Sequence, residues 1–428
     1  MTNSNKKQYW FYIDSYVHIS MKNRDVLFYN TYSGKFLEYT ANQNGDAILK
    51  LTRKLLSPKN LRVIRLTSEH LDNQTVSGFV RSIREYFMGD LIETRFSDSK
   101  PPQVVPTRPK IHVDVKNALK DPDVSFGNIE MIYMYEITIY LNDSCRQKCP
   151  ECVSFYKQGV WCRKGKNGGH NLDIPLLKNL FHEITGSRLK TINITGGNIL
   201  LYPYWEELYR LFNPLDCRVH FFINYLNIDD QLEPLKRVKE IDHQVRLLVH
   251  FPLEIDRFKQ SYETLSGYGL KIKPVFFVQS DEEYSVLEEM LSTFPLESPV
   301  FLPYYNQKNL DFFKKNFFVN REDIEARKPG FRIIHGNSCI NMDNFGKLVI
   351  LPNGHVHANV MDPVLGILGN DSIYDIMFKE MKTGRSWFKL RKNSLPCKKC
   401  NFDLLCPPLS NYNRVIGQNN LCFIRENP

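Results

Sequence analysis

From about residue 136 to residue 302 the chain alternates short apolar, β-branched runs with stretches of helical period, and this rhythm restricts the possible folds more than any single residue does. Residues 137–140, 191–194, 219–223, 245–249, 271–278 and 299–302 read as strands. Asp173 stands where it could cap a helix carrying Leu177, Leu180, Phe181 and Ile184; residues 205–212 form a second helix, and Tyr284, Leu287, Leu291 and Phe294 mark another. Strands separated by helices pair in parallel through right-handed crossovers. Six such units predict an open α/β barrel, and in parallel barrels the working residues gather at the carboxyl ends of the strands.

On either side of this region the rhythm is different. Residues 16–20, 26–29 and 36–39 are strand candidates with Ser33-Gly34 as a turn. Two helices follow, one with Ile48, Leu51 and Leu55, the other with the stripe Val76, Phe79, Val80, Ile83 and Phe87. Pro101, Pro102, Pro106 and Pro109 then forbid regular structure and mark a spacer. Beyond Gly330 the pattern reads as hairpin and loop, with a strand at 347–351, the turn Pro352-Asn353-Gly354 and a short helix at 373–377. The divisions expected are therefore 1–100, a linker at 101–135, the barrel at 136–330, and 331–428.

Length and composition support a folded, multidomain cytoplasmic protein: 428 residues, 42% hydrophobic, with no apolar run long enough to span a membrane and no signal-peptide pattern. A formal charge of +9 is spread along the chain, so it suits an acidic peptide or a nucleotide, or serves solubility alone. No phosphate loop or nucleic-acid motif is present, and no nucleic-acid partner is expected.

Ten cysteines in a reducing compartment point to metal binding, catalysis or burial rather than disulfides, and seven of them fall in two tight groups. Cys145, Cys149 and Cys152 lie directly after the first barrel strand. Three thiolates in one loop suit a 4Fe–4S cluster with one iron left open for a small molecule, or a zinc ion completed by a distant histidine. Cys397, Cys400, Cys406 and Cys422 form the second group, which in isolation suits zinc. Cys162 and Cys217 have no partner at metal spacing and read as packing residues.

The spacing C-x3-C-x2-C, with Thr195-Gly196-Gly197-Asn198 after the second strand, resembles the signature of the radical S-adenosylmethionine (SAM) enzymes. The resemblance implies a partial (β/α)6 barrel in which Cys145, Cys149 and Cys152 hold a catalytic 4Fe–4S cluster and Gly196, Gly197 and Asn198 border SAM. Reductive cleavage of SAM in that family yields a 5′-deoxyadenosyl radical that abstracts hydrogen from an unactivated carbon. Asn198 replaces the usual glutamate of the Gly-Gly-Glu segment, Glu151 replaces an aromatic residue often found before the third cysteine, and His250-Phe251-Pro252 replaces a small polar residue. The cysteine-rich end is similar to the loop-rich SPASM extension, which implies an auxiliary 4Fe–4S cluster on Cys397, Cys400, Cys406 and Cys422. A second, proximal cluster would need Cys339 and cysteines where His357-Ala358-Asn359 and Ser410 stand, and is expected to be lost. The first hundred residues resemble the winged-helix-like element that binds a leader peptide by strand addition.

The family resemblance thus implies a maturase of a ribosomally made precursor peptide. Its partners would be the leader peptide, an electron donor such as ferredoxin or flavodoxin, and in some systems a companion maturase. The alternative is an inactive relative that presents the peptide and keeps one cluster.

Overall fold

The computed structural model describes residues 7–41, 45–97, 99–104, 133–149, 152–165, 169–212, 215–228, 232–236, 238 and 243–424. Pro106, Pro109 and Glu151 lie outside the described residues.

The N-terminal part is built from β1 (Gln8–Ile13), β2 (Val17–Lys22), β3 (Asp25–Asn30), β4 (Phe36–Thr40), α1 (Gly45–Leu56), β5 (Val63–Thr67), α2 (Ser68–Asp72), α3 (Gln74–Glu85) and β6 (Gly89–Glu93). The expected strands make the antiparallel meander β2-β3-β4. A second sheet, β5-β1-β6, was not expected. Its central strand reads Gln-Tyr-Trp-Phe-Tyr-Ile, a run with no clean alternation, because the partners that bury it lie more than fifty residues away. In α3, Val76, Phe79, Val80 and Ile83 are buried as the stripe predicts, but Phe87 is not part of it. The helix stops at Glu85, and Phe87 follows in a left-handed conformation (φ 52°), 77% exposed.

β3 is buried on both faces. Val26 and Phe28 join the N-terminal core around Phe79, whereas the alternate residues Leu27 and Tyr29 pack with Phe402, Leu405, Cys406 and Ile424 from the far end of the chain. Polar contacts reinforce this junction: Lys22 to Asp403 at 2.5 Å, Ser20 to Asn401 at 3.0 Å, and an edge-on contact of Phe36 with Phe402 at 5.2 Å.

The main sheet contains β7 (Glu136–Tyr140), β8 (Thr191–Thr195), β9 (Arg218–Asn224), β10 (Gln244–Val249), β11 (Lys271–Val278) and β12 (Val300–Pro303), all parallel and adjacent in sequence order. β13 (Lys347–Ile350) joins β7 in parallel, and β14 (His355–His357) and β15 (Gly366–Ile367) extend the edge antiparallel. The molecule is thus mixed α/β with a large parallel sheet.

Helices α4 (Cys152–Gln158), α5 (Ile174–Ile184), α6 (Trp205–Phe212), α7 (Glu233–Lys236), α8 (Ile255–Gly267) and α9 (Asp281–Thr293) fall between the parallel strands. Leu177 and Phe181 of α5, Leu208 and Phe212 of α6, Phe258 of α8 and Leu287 of α9 share one core with Ile139, Ile194, Phe221, Leu247 and Phe276. Helices α5 to α9 therefore cover one face of the sheet, while α4 sets Phe155 against the other face near the strand ends and leaves the rest of it open. Asp173 stands at the N-cap of α5 as expected, but its side chain makes no capping hydrogen bond; Pro175 in the first turn starts the helix instead.

Beyond β12 come α10 (Leu310–Phe317), α11 (Arg321–Arg327), α12 (Phe331–Cys339), α13 (Ile373–Thr383) and α14 (Asn411–Ile416). α12 lies where the sequence suggested hairpin and loop. Its residues Phe-Arg-Ile-Ile-His-Gly-Asn-Ser-Cys are poor helix formers, and burial of Ile334, Asn337, Ser338 and Cys339 accounts for the helix better than propensity does. α13 runs six residues past the expected end at Met377, to a left-handed Gly384 (φ 62°) that closes it.

Candidate functional site

The loops after β7, β8 and β9 meet at the carboxyl end of the sheet. The loop after β7 carries Cys145, Cys149 and Cys152, the last opening α4. It is held by backbone hydrogen bonds to the turn after β8: Gly197 N–H donates to the Asn142 carbonyl (2.9 Å) and Asn198 N–H to that of Ser144 (2.6 Å). The Asn142 side chain adds two more, accepting from Gly197 N–H (3.0 Å) and donating to the Asn198 carbonyl (2.8 Å). From the third loop, the Leu226 carbonyl accepts from Gln147 (2.7 Å), and Asn227 Oδ1 lies 3.8 Å from Cys145 Sγ.

This contact explains the paired glycines. A Cβ on Gly196 would stand 2.6 Å from Asn142 Oδ1, and one on Gly197 only 2.2 Å from the Ser144 carbonyl oxygen. The close approach that glycine permits is therefore made to the cysteine loop itself. Asn198 is buried, and its amide oxygen accepts from Leu200 N–H (3.1 Å), capping the short turn Ile199–Leu201.

The three thiols are half-buried and close enough to influence one another's charge. Burial first, then the neighbouring Cys152 and Cys145, pushes the Cys149 thiol up to about 11; burial also raises Cys152, whose sulfur accepts from Lys164 N–H at 3.2 Å. Such thiols stay protonated without a metal, and a bound metal would take the place of the protons. Among the described residues no three His, Cys, Asp or Glu groups are set for a single metal ion. A cluster puts each thiolate on a different iron, so its ligands stand farther apart.

The second cysteine group is also gathered together. Cys406 is almost fully buried, with its thiol pushed up by burial and close to Cys422, Cys400 and Cys397. The buried Arg391 guanidinium donates to Cys397 Sγ at 3.4 Å and partly offsets the negative charge that four thiolates would bring. Three cysteines outside the two groups pack instead. Cys162 is buried beneath the loop with Asn224 Nδ2 at 4.0 Å, Cys339 lies against Ser338 Oγ at 3.3 Å, and Cys217 is half-buried beside the main core.

The uncovered face of the sheet has three zones. Toward the carboxyl ends, Phe155, Trp161, Phe277 and Tyr304 form an apolar cluster, with Trp161 stacked on Phe277 at 4.1 Å. His250, at the end of β10, stacks on Phe155 at 5.6 Å. Beside β7, a cavity of about 300 Å³ is lined by Glu136, Tyr140, Tyr156, Asp343, Asn359 and Ser410 among others. Asn359 donates to Asn344 (3.1 Å) and Asn411 (2.6 Å), so an amide network stands where the proximal cluster would need a cysteine. His357 turns Nδ1 to the Asp362 carbonyl (2.9 Å). No local pattern announces this cavity, because its walls include segments more than 250 residues apart.

The third zone, toward the amino ends, is polar: Asn193 donates to Glu136 (3.0 Å) and Thr138 (3.3 Å) and meets His220 Nδ1 (3.3 Å). Burial, then Arg246, Arg218, His243 and Lys273, holds the His220 imidazole down at about 4. It is neutral when folded, whereas the unfolded side chain protonates near 6.5. Stability is therefore expected to fall as pH drops below that value. His220 should account for about 1 kcal/mol between about pH 7 and pH 5.5, and denaturant unfolding of His220→Gln at both pH values measures this share. Burial lowers His250 and His357 in the same direction, so the variant should retain part of the dependence.

No protein-family model and no curated protein sequence matches the chain. Solved structures similar to it include Streptococcus suis SuiB bound to S-adenosylmethionine, 11% identical, covering 97% of this chain and 99% of that one with a TM-score of 0.39. Native anSMEcpe with bound AdoMet is 16% identical, covering 67% of this chain and 95% of that one, TM-score 0.46. The same protein with AdoMet and the Cp18Cys peptide is 16% identical over 64% and 87%, TM-score 0.45. Among the described residues no helix is long and apolar enough to cross a membrane.

Proposed function

We propose that the chain is a radical SAM maturase acting on a ribosomally made precursor peptide. The observation that carries this reading is the placement of Cys145, Cys149 and Cys152 in the loop after the first of six parallel strands, clamped to the Gly196-Gly197-Asn198 turn after the second. The six strands and their helices would be the partial barrel, residues 1–100 the leader-binding domain, 101–135 the linker, and 331–428 the SPASM-like domain.

Cys145, Cys149 and Cys152 would hold the catalytic 4Fe–4S cluster, Gly196, Gly197 and Asn198 would border SAM, and Cys397, Cys400, Cys406 and Cys422 would hold the auxiliary cluster. The catalytic cluster, when bound, supplies one electron for the reductive cleavage of SAM, drawn in turn from a ferredoxin or flavodoxin. The chain's own residues do the rest. The apolar cluster of Phe155, Trp161, Phe277 and Tyr304 keeps water from the ground beneath the loop. The cavity beside β7, which touches α4 through Tyr156 and Gln158, would admit the reacting side chain.

β4 is an edge strand of the meander, and beside it opens a cavity of about 890 Å³ lined by Glu38, Thr40, Arg321, Cys400 and Phe402. A leader peptide added along β4 would lie against the four-cysteine segment.

Anaerobic reconstitution with iron counting and a dithionite-driven SAM-cleavage assay tests the proposal. About eight irons per chain with 5′-deoxyadenosine formed is the expected result; about four irons and no cleavage would reduce the chain to a peptide-presenting partner.

A further inference from the structure

On the uncovered face, at the end of the sheet away from the cysteine loop, three neighbouring strands present cations. Arg218 comes from β9, Arg246 from β10 and Lys273 from β11. Arg246 and Lys273 are direct cross-strand neighbours, and Arg246 also pairs in register with Phe222. Like charges placed side by side across strands cost stability, and Arg246 is partly withdrawn from water as well. No carboxylate among the described residues forms an ion pair with Arg218, Arg246 or Lys273. The carboxylate reached through Asn193 is Glu136, which Lys347 already engages at 3.5 Å. An arrangement this unfavourable in isolation is what a site for an anionic ligand looks like before the ligand arrives.

The spacing indicates what kind of anion. Arg246 and Lys273 stand side by side about 4.8 Å apart, and Arg218 lies four residues along β9 from Phe222, the register partner of Arg246, so the three cations are spread over roughly 13 Å along the strands, more than one compact anion can bridge. An extended peptide presents alternate side chains on one side about 7 Å apart, which matches the spread. Phe222 offers an apolar surface for the stems between the carboxylates. We propose that Arg218, Arg246 and Lys273 bind an acidic stretch of the peptide substrate, anchoring it at the amino end of the open face, about 10 Å along β10 from the carboxyl end where the cysteine loop lies. This rests on the maturase reading for the identity of the ligand.

The test uses the reconstituted full chain and fluorescence anisotropy of a short labelled peptide with glutamate at alternate positions. Binding should weaken ~tenfold in Arg246→Gln/Lys273→Gln, weaken similarly when the peptide's glutamates become glutamines, and survive in Arg246→Lys. Equal binding of the glutamine peptide, or an indifferent double variant, overturns the proposal; so does full displacement by low inorganic phosphate, which would mark a single-anion site. Relief of like-charge repulsion should leave the variant's melting temperature unchanged or higher, so lost binding is not lost fold. Iron content and SAM cleavage measured on the same preparation separate the two readings. Cleavage without charge-dependent binding removes this proposal alone, and charge-dependent binding without cleavage removes the maturase.

Discussion

Cys149→Ala is expected to abolish 5′-deoxyadenosine formation and to lower reconstituted iron from about eight to about four per chain, because a cluster on two protein thiolates is not retained. Iron counting gives the result independently of turnover. The remaining iron should stay with Cys397, Cys400, Cys406 and Cys422, of which the last three pack in a core apart from the loop. Cys149 is half-buried with its thiol pushed up to about 11, and the hydrogen bond its sulfur takes is from its own backbone, so its removal breaks no tie to another segment. The melting temperature of the iron-free variant should therefore match that of the iron-free parent. A full complement of iron in Cys149→Ala would show that this loop holds no cluster.

Gly197→Ala should be strongly damaging for a change of one methyl group. The added Cβ would meet the Ser144 carbonyl oxygen at 2.2 Å and its carbon at 2.6 Å, and both belong to backbone, so no side chain can rotate away. Nor can the loop retreat cheaply. Moving Ser144 away stretches the hydrogen bonds from Gly197 and Asn198 N–H that tie the loops after β7 and β8 together. The expected cost is about 2–3 kcal/mol in denaturant unfolding, with loss of the loop's iron on reconstitution. Gly267, on α8, has nothing within 4 Å of its would-be Cβ, and Gly267→Ala should be neutral or stabilising by up to ~1 kcal/mol. That pair of variants separates a steric requirement from a general intolerance of substitution.

Much of the main sheet could be read from the chain because its signals are local. Each parallel strand is a short apolar run covered by helices, and the helix between two strands carries its own apolar stripe, as Leu177, Leu180, Phe181 and Ile184 do in α5. The strand Gln8–Ile13 was not legible, since its aromatic run has neither period and its two partners are Val63–Thr67 and Gly89–Glu93. The apolar period runs on through Phe87 past the end of α3, because period alone does not reveal where a helix ends. Asn198 shows the same limit at the site. Its place beside the cysteine loop follows from the sequence, but that its oxygen caps the turn that follows and its backbone clamps Ser144 does not.

Sequence by itself determined the alternation that makes the parallel sheet and the two cysteine groups with their spacing, because both depend on residues a few positions apart. Only the tertiary structure decided what those glycines touch, which face of β3 reaches the four-cysteine site, and that Arg218, Arg246 and Lys273 share one face with no ion-paired carboxylate among the described residues. Those facts arise when the chain returns upon itself across tens to hundreds of residues. Register and packing set such contacts, and neither leaves a periodic trace in the order of the amino acids.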